Sequence, residues 1–225
     1  MLNETGTMTI PAHLPEWKLA KYRMVQSWQT LNQTCLKGQT VFAGSSLMEM
    51  FPVEKFAREE GPDFPVVYNR GVGGFTTHDM LICLDEMVTT LQPRRLLINI
   101  GTNDLSDASV SVDALISRYK DILTRITAAV PGVKIILMAY FPINYDAADE
   151  HMKATLRIRT NERIAEANAA VQALADRLGH RFINVNAPLT DAQGRLKAEY
   201  TTEGMHIREE GYRAIWPLVR AEILR

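Results

Sequence analysis

Short apolar runs alternate with longer amphipathic stretches along the chain. Five of the short runs predict buried strands: residues 40–43, 66–69, 95–100, 134–139 and 182–185. They are mostly continuous Val, Ile, Leu and Phe rather than alternating, as parallel strands covered on both faces require. Between them lie stripes at helical spacing. Trp17, Met24, Trp28 and Leu31 precede the first strand, and Met80, Leu84, Met87 and Leu91 follow the second. Leu115, Ile116, Tyr119, Ile122, Leu123 and Ile126 follow the third. Ile164, Val171, Leu174 and Leu178 come after the fourth, with Gly179 placed to end that helix, and Tyr212, Ile215, Trp216, Val219 and Ile223 close the chain. Residues 51–61, broken by Pro52, predict a short helix. Strand–helix alternation predicts an α/β fold with an open parallel sheet and helices on both faces. Ligands in such folds bind beyond the carboxyl ends of the strands, near the switch in strand order.

The residues after each predicted strand therefore carry the functional reading. They are Gly44-Ser45-Ser46-Leu47, then Asn69-Arg70-Gly71-Val72-Gly73-Gly74, Gly101-Thr102-Asn103-Asp104, Tyr140-Phe141-Pro142 and, past the fifth, Glu203-Gly204-Met205-His206. Acyl transfer needs a serine hydroxyl activated by a base, usually histidine, with a carboxylate to orient the imidazole. It also needs fixed donors for the oxyanion. Ser46 at a strand-to-helix turn, His206 and Glu203 fit the first set. The N–H groups of Ser46 and Gly74 and the Asn103 amide fit the second. Leu47, Phe75, Tyr140, Phe141, Ile143 and Met205 flank these blocks and are candidates for an apolar substrate pocket.

Four of these blocks, Gly44–Ser46, Asn69–Gly74, Gly101–Asp104 and Glu203–His206, in this order over most of the chain after Thr40, resemble the SGNH (GDSL-type) hydrolase family. The resemblance is strongest to the branch of platelet-activating-factor acetylhydrolase-like and bacterial lysophospholipase-like esterases. It implies a flavodoxin-like, three-layer α/β/α fold with a five-stranded parallel sheet. It also implies cofactor-free and metal-free hydrolysis of carboxylic esters through an acyl-enzyme on Ser46, and an acetyl or other short acyl group on a lipid or sugar. Block correspondence selects Ser46 over its neighbour Ser45. Two positions depart from the family pattern: Ser45 and Glu203 each stand where the family has aspartate. These departures keep a second reading open, an SGNH-fold binding protein with impaired catalysis.

Composition narrows the alternatives. The 225 residues suit one domain, with residues 1–38 as a polar lead-in and a helix packed on it. A net charge of −1, with scattered charges, gives no basic stripe for nucleic acid. No apolar run approaches a membrane span and the amino-terminal residues lack a signal-peptide pattern, so a cytoplasmic location is the expectation. Cys35 and Cys83 are expected to be free thiols. The partner is expected to be a small ester, with a homodimer left open. His78, Asp79 and His151 lack metal-ligand companions and read as helix-surface or loop residues. The Arg157, Arg159 and Arg163 cluster reads as a solvated face. A flavodoxin-like cofactor or signalling domain would need a phosphate loop or an acidic acceptor cluster, and neither occurs.

Overall fold

A computed structural model of the chain describes residues 8–225; residues 1–7 of the expected lead-in lie outside the described residues. The elements run α1 (Glu16–Thr34), β1 (Thr40–Gly44), α2 (Ser46–Glu49), α3 (Val53–Glu59), β2 (Val67–Gly71), α4 (Thr77–Ile82), α5 (Leu84–Met87), β3 (Arg95–Asn99) and α6 (Val112–Ala129). They continue with β4 (Lys134–Met138), α7 (Glu150–Leu156), α8 (Asn161–Leu178), β5 (Arg181–Ile183) and α9 (Glu209–Leu224). All four strand pairings are parallel, in the order β2-β1-β3-β4-β5. This is the flavodoxin-like order, and it reverses direction between β1 and β3.

Alternate strand residues feed two cores. Val41, Ala43, Leu96, Ile98, Ile135 and Leu137 pack against α1, α4, α5, α6 and α8. Phe42, Val67, Leu97, Ile136, Met138 and Ile183 pack against α3 and α9. The result is a three-layer α/β/α sandwich whose central strands are buried on both faces, which is why they read as continuous apolar runs.

Three helical expectations change. In α1 the buried residues are Tyr22, Val25 and Asn32, whereas Trp17 and Leu31 of the predicted stripe are exposed. Met24 and Trp28 of that stripe do pack against the core, and polar bonds add to the docking: Tyr22 Oη to Asp79 Oδ1 (2.6 Å), Gln29 Nε2 to Glu86 Oε1 (2.8 Å) and Asn32 Nδ2 to the Glu86 carbonyl (2.8 Å). Hydrophobic periodicity does not register such contacts. The Met80–Leu91 stripe is buried as expected, but it is divided among α4, α5 and a 3₁₀ turn at Thr89–Leu91. Val88, Thr89 and Thr90 are consecutive β-branched residues, which resist helix propagation. Finally, α7 had no predicted counterpart. Leu156 is its only buried residue, so it has no apolar stripe to detect.

Candidate active site

Ser46 is the first residue of α2, directly beyond β1, and is partly buried. Two side chains distant in sequence hold its turn. Asn69, on β2, donates through Nδ2 to the carbonyls of Met48 (2.7 Å) and Phe51 (3.0 Å), which satisfies groups left open at the end of a one-turn helix. Tyr212, on α9, donates through Oη to the Leu47 carbonyl at 2.7 Å. Neither anchor was evident in the sequence, although Asn69 belongs to one of the blocks.

His206 lies in the loop before α9, and its Nε2 is 3.0 Å from Ser46 Oγ. On the other side of the ring, Nδ1 is 2.7 Å from Glu203 Oε1. The same oxygen accepts the His206 backbone N–H at 2.7 Å, and Thr202 Oγ1 donates to Oε2 at 2.6 Å. Gly204 makes this tight loop passable. It sits at φ +86°, and a Cβ there would lie 2.3 Å from the Asn144 carbonyl oxygen. Burial works against the charge on Glu203, but the bonds from Thr202, the His206 N–H and the imidazole outweigh it and hold the carboxyl below its usual value. An ionised Glu203 accepting Nδ1–H leaves Nε2 as an acceptor facing the Ser46 hydroxyl. The longer glutamate side chain therefore reaches the imidazole from the position where aspartate is usual.

The three residues expected to supply oxyanion donors, Ser46, Gly74 and Asn103, follow β1, β2 and β3. Asn103 follows β3, adjacent to β1, so Ser46 and this amide flank the switch in strand order. Asn103 Nδ2 donates one hydrogen to the Phe75 carbonyl (2.9 Å), and its second is not engaged among the described residues. The N–H groups of Ser46 and Gly74 likewise have no acceptor among the described residues, whereas Gly73 N–H is taken by Glu49 Oε2 (3.1 Å). Gly74 has φ +79°, and a Cβ would stand 2.6 Å from Cζ3 of Trp17, whose indole is 55% exposed. Asp104 turns inward and is buried. It accepts Thr77 N–H (2.9 Å), Thr77 Oγ1 (2.6 Å) and Arg118 Nη2 (3.0 Å).

Other sequence expectations fare differently. Leu47, Phe75, Tyr140, Phe141, Ile143 and Met205 are all buried, none more than 8% exposed. Tyr140 Oη is committed to the Ile100 carbonyl at 2.7 Å. Phe75, Tyr140, Ile143 and Met205 pack into one core and Leu47 and Phe141 into the other. Asp79 is buried, not a surface residue: it closes a capping box with Thr76, accepts from Tyr22, and pairs with Lys18 at 2.9 Å. Arg159 is also misread as solvated. It is 3% exposed and donates to Asn103, while Arg157 remains exposed. Burial pushes the Arg159 guanidinium down to about 10, with Asp104 opposing the shift, so it stays charged at neutral pH. Cys35 and Cys83 are free thiols, and burial pushes that of Cys83 up. Ser45 is fully buried and its Oγ has no partner among the described residues. No cluster of three or more His, Cys, Asp or Glu able to hold a metal occurs among the described residues, and no described helix is long and apolar enough to cross a membrane.

A protein provisionally named a platelet activating factor from Streptococcus pneumonia superposes with a TM-score of 0.81 at 29% identity, over 92% of this chain and 94% of that one. A GDSL-like lipase from Bacteroides thetaiotaomicron has a TM-score of 0.73 at 23% identity, over 89% and 97% of the two chains. A catalytic mutant of an acetylxylan esterase from Geobacillus stearothermophilus has a TM-score of 0.64 at 17% identity, over 84% and 95%. Curated protein sequences give no match. The model of the GDSL-like lipase/acylhydrolase family matches residues 45–214, a span that takes in Ser46, Gly74, Asn103, Glu203 and His206. With that match over most of its length, the chain belongs to the GDSL-like lipase/acylhydrolase (SGNH hydrolase) family and is a carboxylic ester hydrolase.

Proposed function

We propose that the protein is a serine esterase that cleaves short acyl esters, acetyl foremost, through an acyl-enzyme on Ser46. The observation that carries this reading is the unbroken chain Ser46 Oγ–His206 Nε2 (3.0 Å) and His206 Nδ1–Glu203 Oε1 (2.7 Å) at the switch in strand order. In the first half-reaction His206 Nε2 takes the Ser46 proton as Oγ attacks the ester carbonyl carbon. The carbonyl oxygen becomes an oxyanion, received by Ser46 N–H, Gly74 N–H and the free N–H of Asn103. Collapse of the intermediate breaks the bond to the alcohol oxygen, and the imidazolium returns its proton to that oxygen. Water then attacks the acyl-Ser46 carbonyl with His206 again as base, releasing the acid. Glu203 stays ionised throughout, orients the ring and offsets its positive charge.

The short acyl preference is supported by the packing of the six flanking apolar residues into the cores. The alcohol part is a sugar or a lipid headgroup. A series of p-nitrophenyl esters of increasing chain length tests the reading, with the Ser46→Ala variant as control. The expected result is highest kcat/KM for acetate, falling with chain length, and loss of turnover in Ser46→Ala with an unchanged circular dichroism spectrum. Full activity in Ser46→Ala contradicts the nucleophile assignment, and a maximum at long chains contradicts the acyl preference.

A further inference from the structure

We propose that Arg159 is a positioning residue for Asn103: its guanidinium fixes which way the Asn103 amide faces and polarises the N–H left free for the oxyanion. This rests on the assignment of Asn103 as an oxyanion donor.

A primary amide has nearly the same shape in its two flipped orientations, and only its partners decide which is populated. Here both neighbours demand the same one. Arg159 Nη2 has only hydrogens to offer and stands 2.8 Å from Asn103 Oδ1. The Phe75 carbonyl can only accept and stands 2.9 Å from Nδ2. A flipped amide would set N–H against guanidinium and oxygen against carbonyl, two repulsive contacts. In the observed orientation one Nδ2 hydrogen goes to Phe75, and the other has no acceptor among the described residues. Charge on the guanidinium draws electron density toward Oδ1, which makes that remaining hydrogen a stronger donor.

The guanidinium is itself held rigidly. Arg159 Nε donates to Ser106 Oγ at 2.8 Å, and Nη1 is 2.7 Å from Met205 Sδ. Met205 directly precedes His206, so one side chain spans the loop of the amide donor and the loop of the base. No carboxylate pairs with Arg159 among the described residues, since Asp104 is engaged by Arg118. A buried cation without an ion-pair partner is costly for stability. Here that charge acts through Asn103 Oδ1, 2.8 Å away, on a donor that faces developing negative charge.

A merely structural staple between the two loops makes different predictions, and a double-mutant cycle separates them. Wild type, Asn103→Ala, Arg159→Gln and the double variant are assayed on p-nitrophenyl acetate, with kcat and KM resolved. Asn103→Ala is expected to lower kcat by roughly a hundredfold. Arg159→Gln should lower kcat by about tenfold with KM within about twofold. In the Asn103→Ala background the same change should cost less than about twofold, because its route of action is gone. Arg159→Lys should fall between wild type and Arg159→Gln, keeping the charge but losing the planar fork. If Arg159→Gln fails to fold, the cycle is run with Arg159→Lys under the same criterion. An equal loss in both backgrounds, or no loss of kcat in either, overturns the proposal while leaving Asn103 in place. Full kcat in Asn103→Ala overturns the oxyanion assignment, and the proposal with it.

Discussion

Replacing Glu203 with glutamine isolates the role of charge in the His206 pair. The amide is nearly isosteric and can keep its oxygen toward His206 Nδ1 and N–H, both at 2.7 Å, while its nitrogen faces Thr202 Oγ1. Geometry is thus retained and the negative charge is lost. In the transition state that charge faces an imidazolium whose centre lies about 4 Å away; at an effective dielectric near 20 the attraction is about 4 kcal/mol. The His206 and Glu203 side chains are 25% and 17% exposed, so water screens part of it, and about 2–4 kcal/mol is a fair range. That corresponds to a fall in kcat of about 30- to 1000-fold. KM should move little, because the interaction strengthens only as the ring becomes charged. Steady-state kinetics on p-nitrophenyl acetate measures it directly. A kcat within about threefold of wild type would refute the reasoning and point to another group orienting His206. Stability supplies a check with a defined sign. A folded-state pKa held below its ordinary value contributes stability that is complete above the unfolded value and disappears as pH falls through the folded one. The melting-temperature difference between wild type and Glu203→Gln should therefore shrink below about pH 4.

Further predictions concern residues around the site. Ser45→Ala deletes a buried hydroxyl without a partner, so stability should stay level or rise by up to about 1 kcal/mol, with activity within about twofold; loss of turnover would transfer the nucleophile role away from Ser46. Gly74→Ala forces a Cβ onto a backbone at φ +79° and against Trp17, at a strain of about 1–2 kcal/mol. Its melting temperature should drop by about 2–8 °C in calorimetry, with a clear fall in kcat, and an unchanged kcat would remove Gly74 from the donor set. Asp104→Asn leaves Arg118 facing an amide and disturbs the bonds to Thr77, so urea unfolding should show a loss of about 2–4 kcal/mol; a loss below about 0.5 kcal/mol would contradict the account of this loop.

Much of the architecture could be read from the chain because burial on two faces leaves so plain a mark. The run predicted over 40–43 is β1 at Thr40–Gly44, and that over 134–139 is β4 at Lys134–Met138. The blocks around Ser46, Gly74 and Asn103 stood out for a related reason, because they follow β1, β2 and β3 at one rim of the sheet, whereas Glu203 and His206 come from the loop before α9, well past β5. What escaped depends on partners far away in sequence. Trp17 looks like core by spacing, yet α1 is turned by the bonds of Tyr22 and Asn32 so that the indole covers Gly74. Arg159 looks like one of three surface cations. Only tertiary structure shows that it reaches back 56 residues to Asn103. Apolar side chains near the blocks suggested a pocket, but Tyr140 and Phe141 spend that surface on the cores. Hydrophobicity alone does not distinguish a residue that lines a site from one that supports it.

The central claim, that the Ser46 hydroxyl is activated by His206, is tested most directly by a fluorophosphonate probe and peptide mapping. The account predicts a single stoichiometric adduct on Ser46 in the wild-type protein and its loss in His206→Ala. An adduct on Ser45, or no adduct on folded protein, would contradict it.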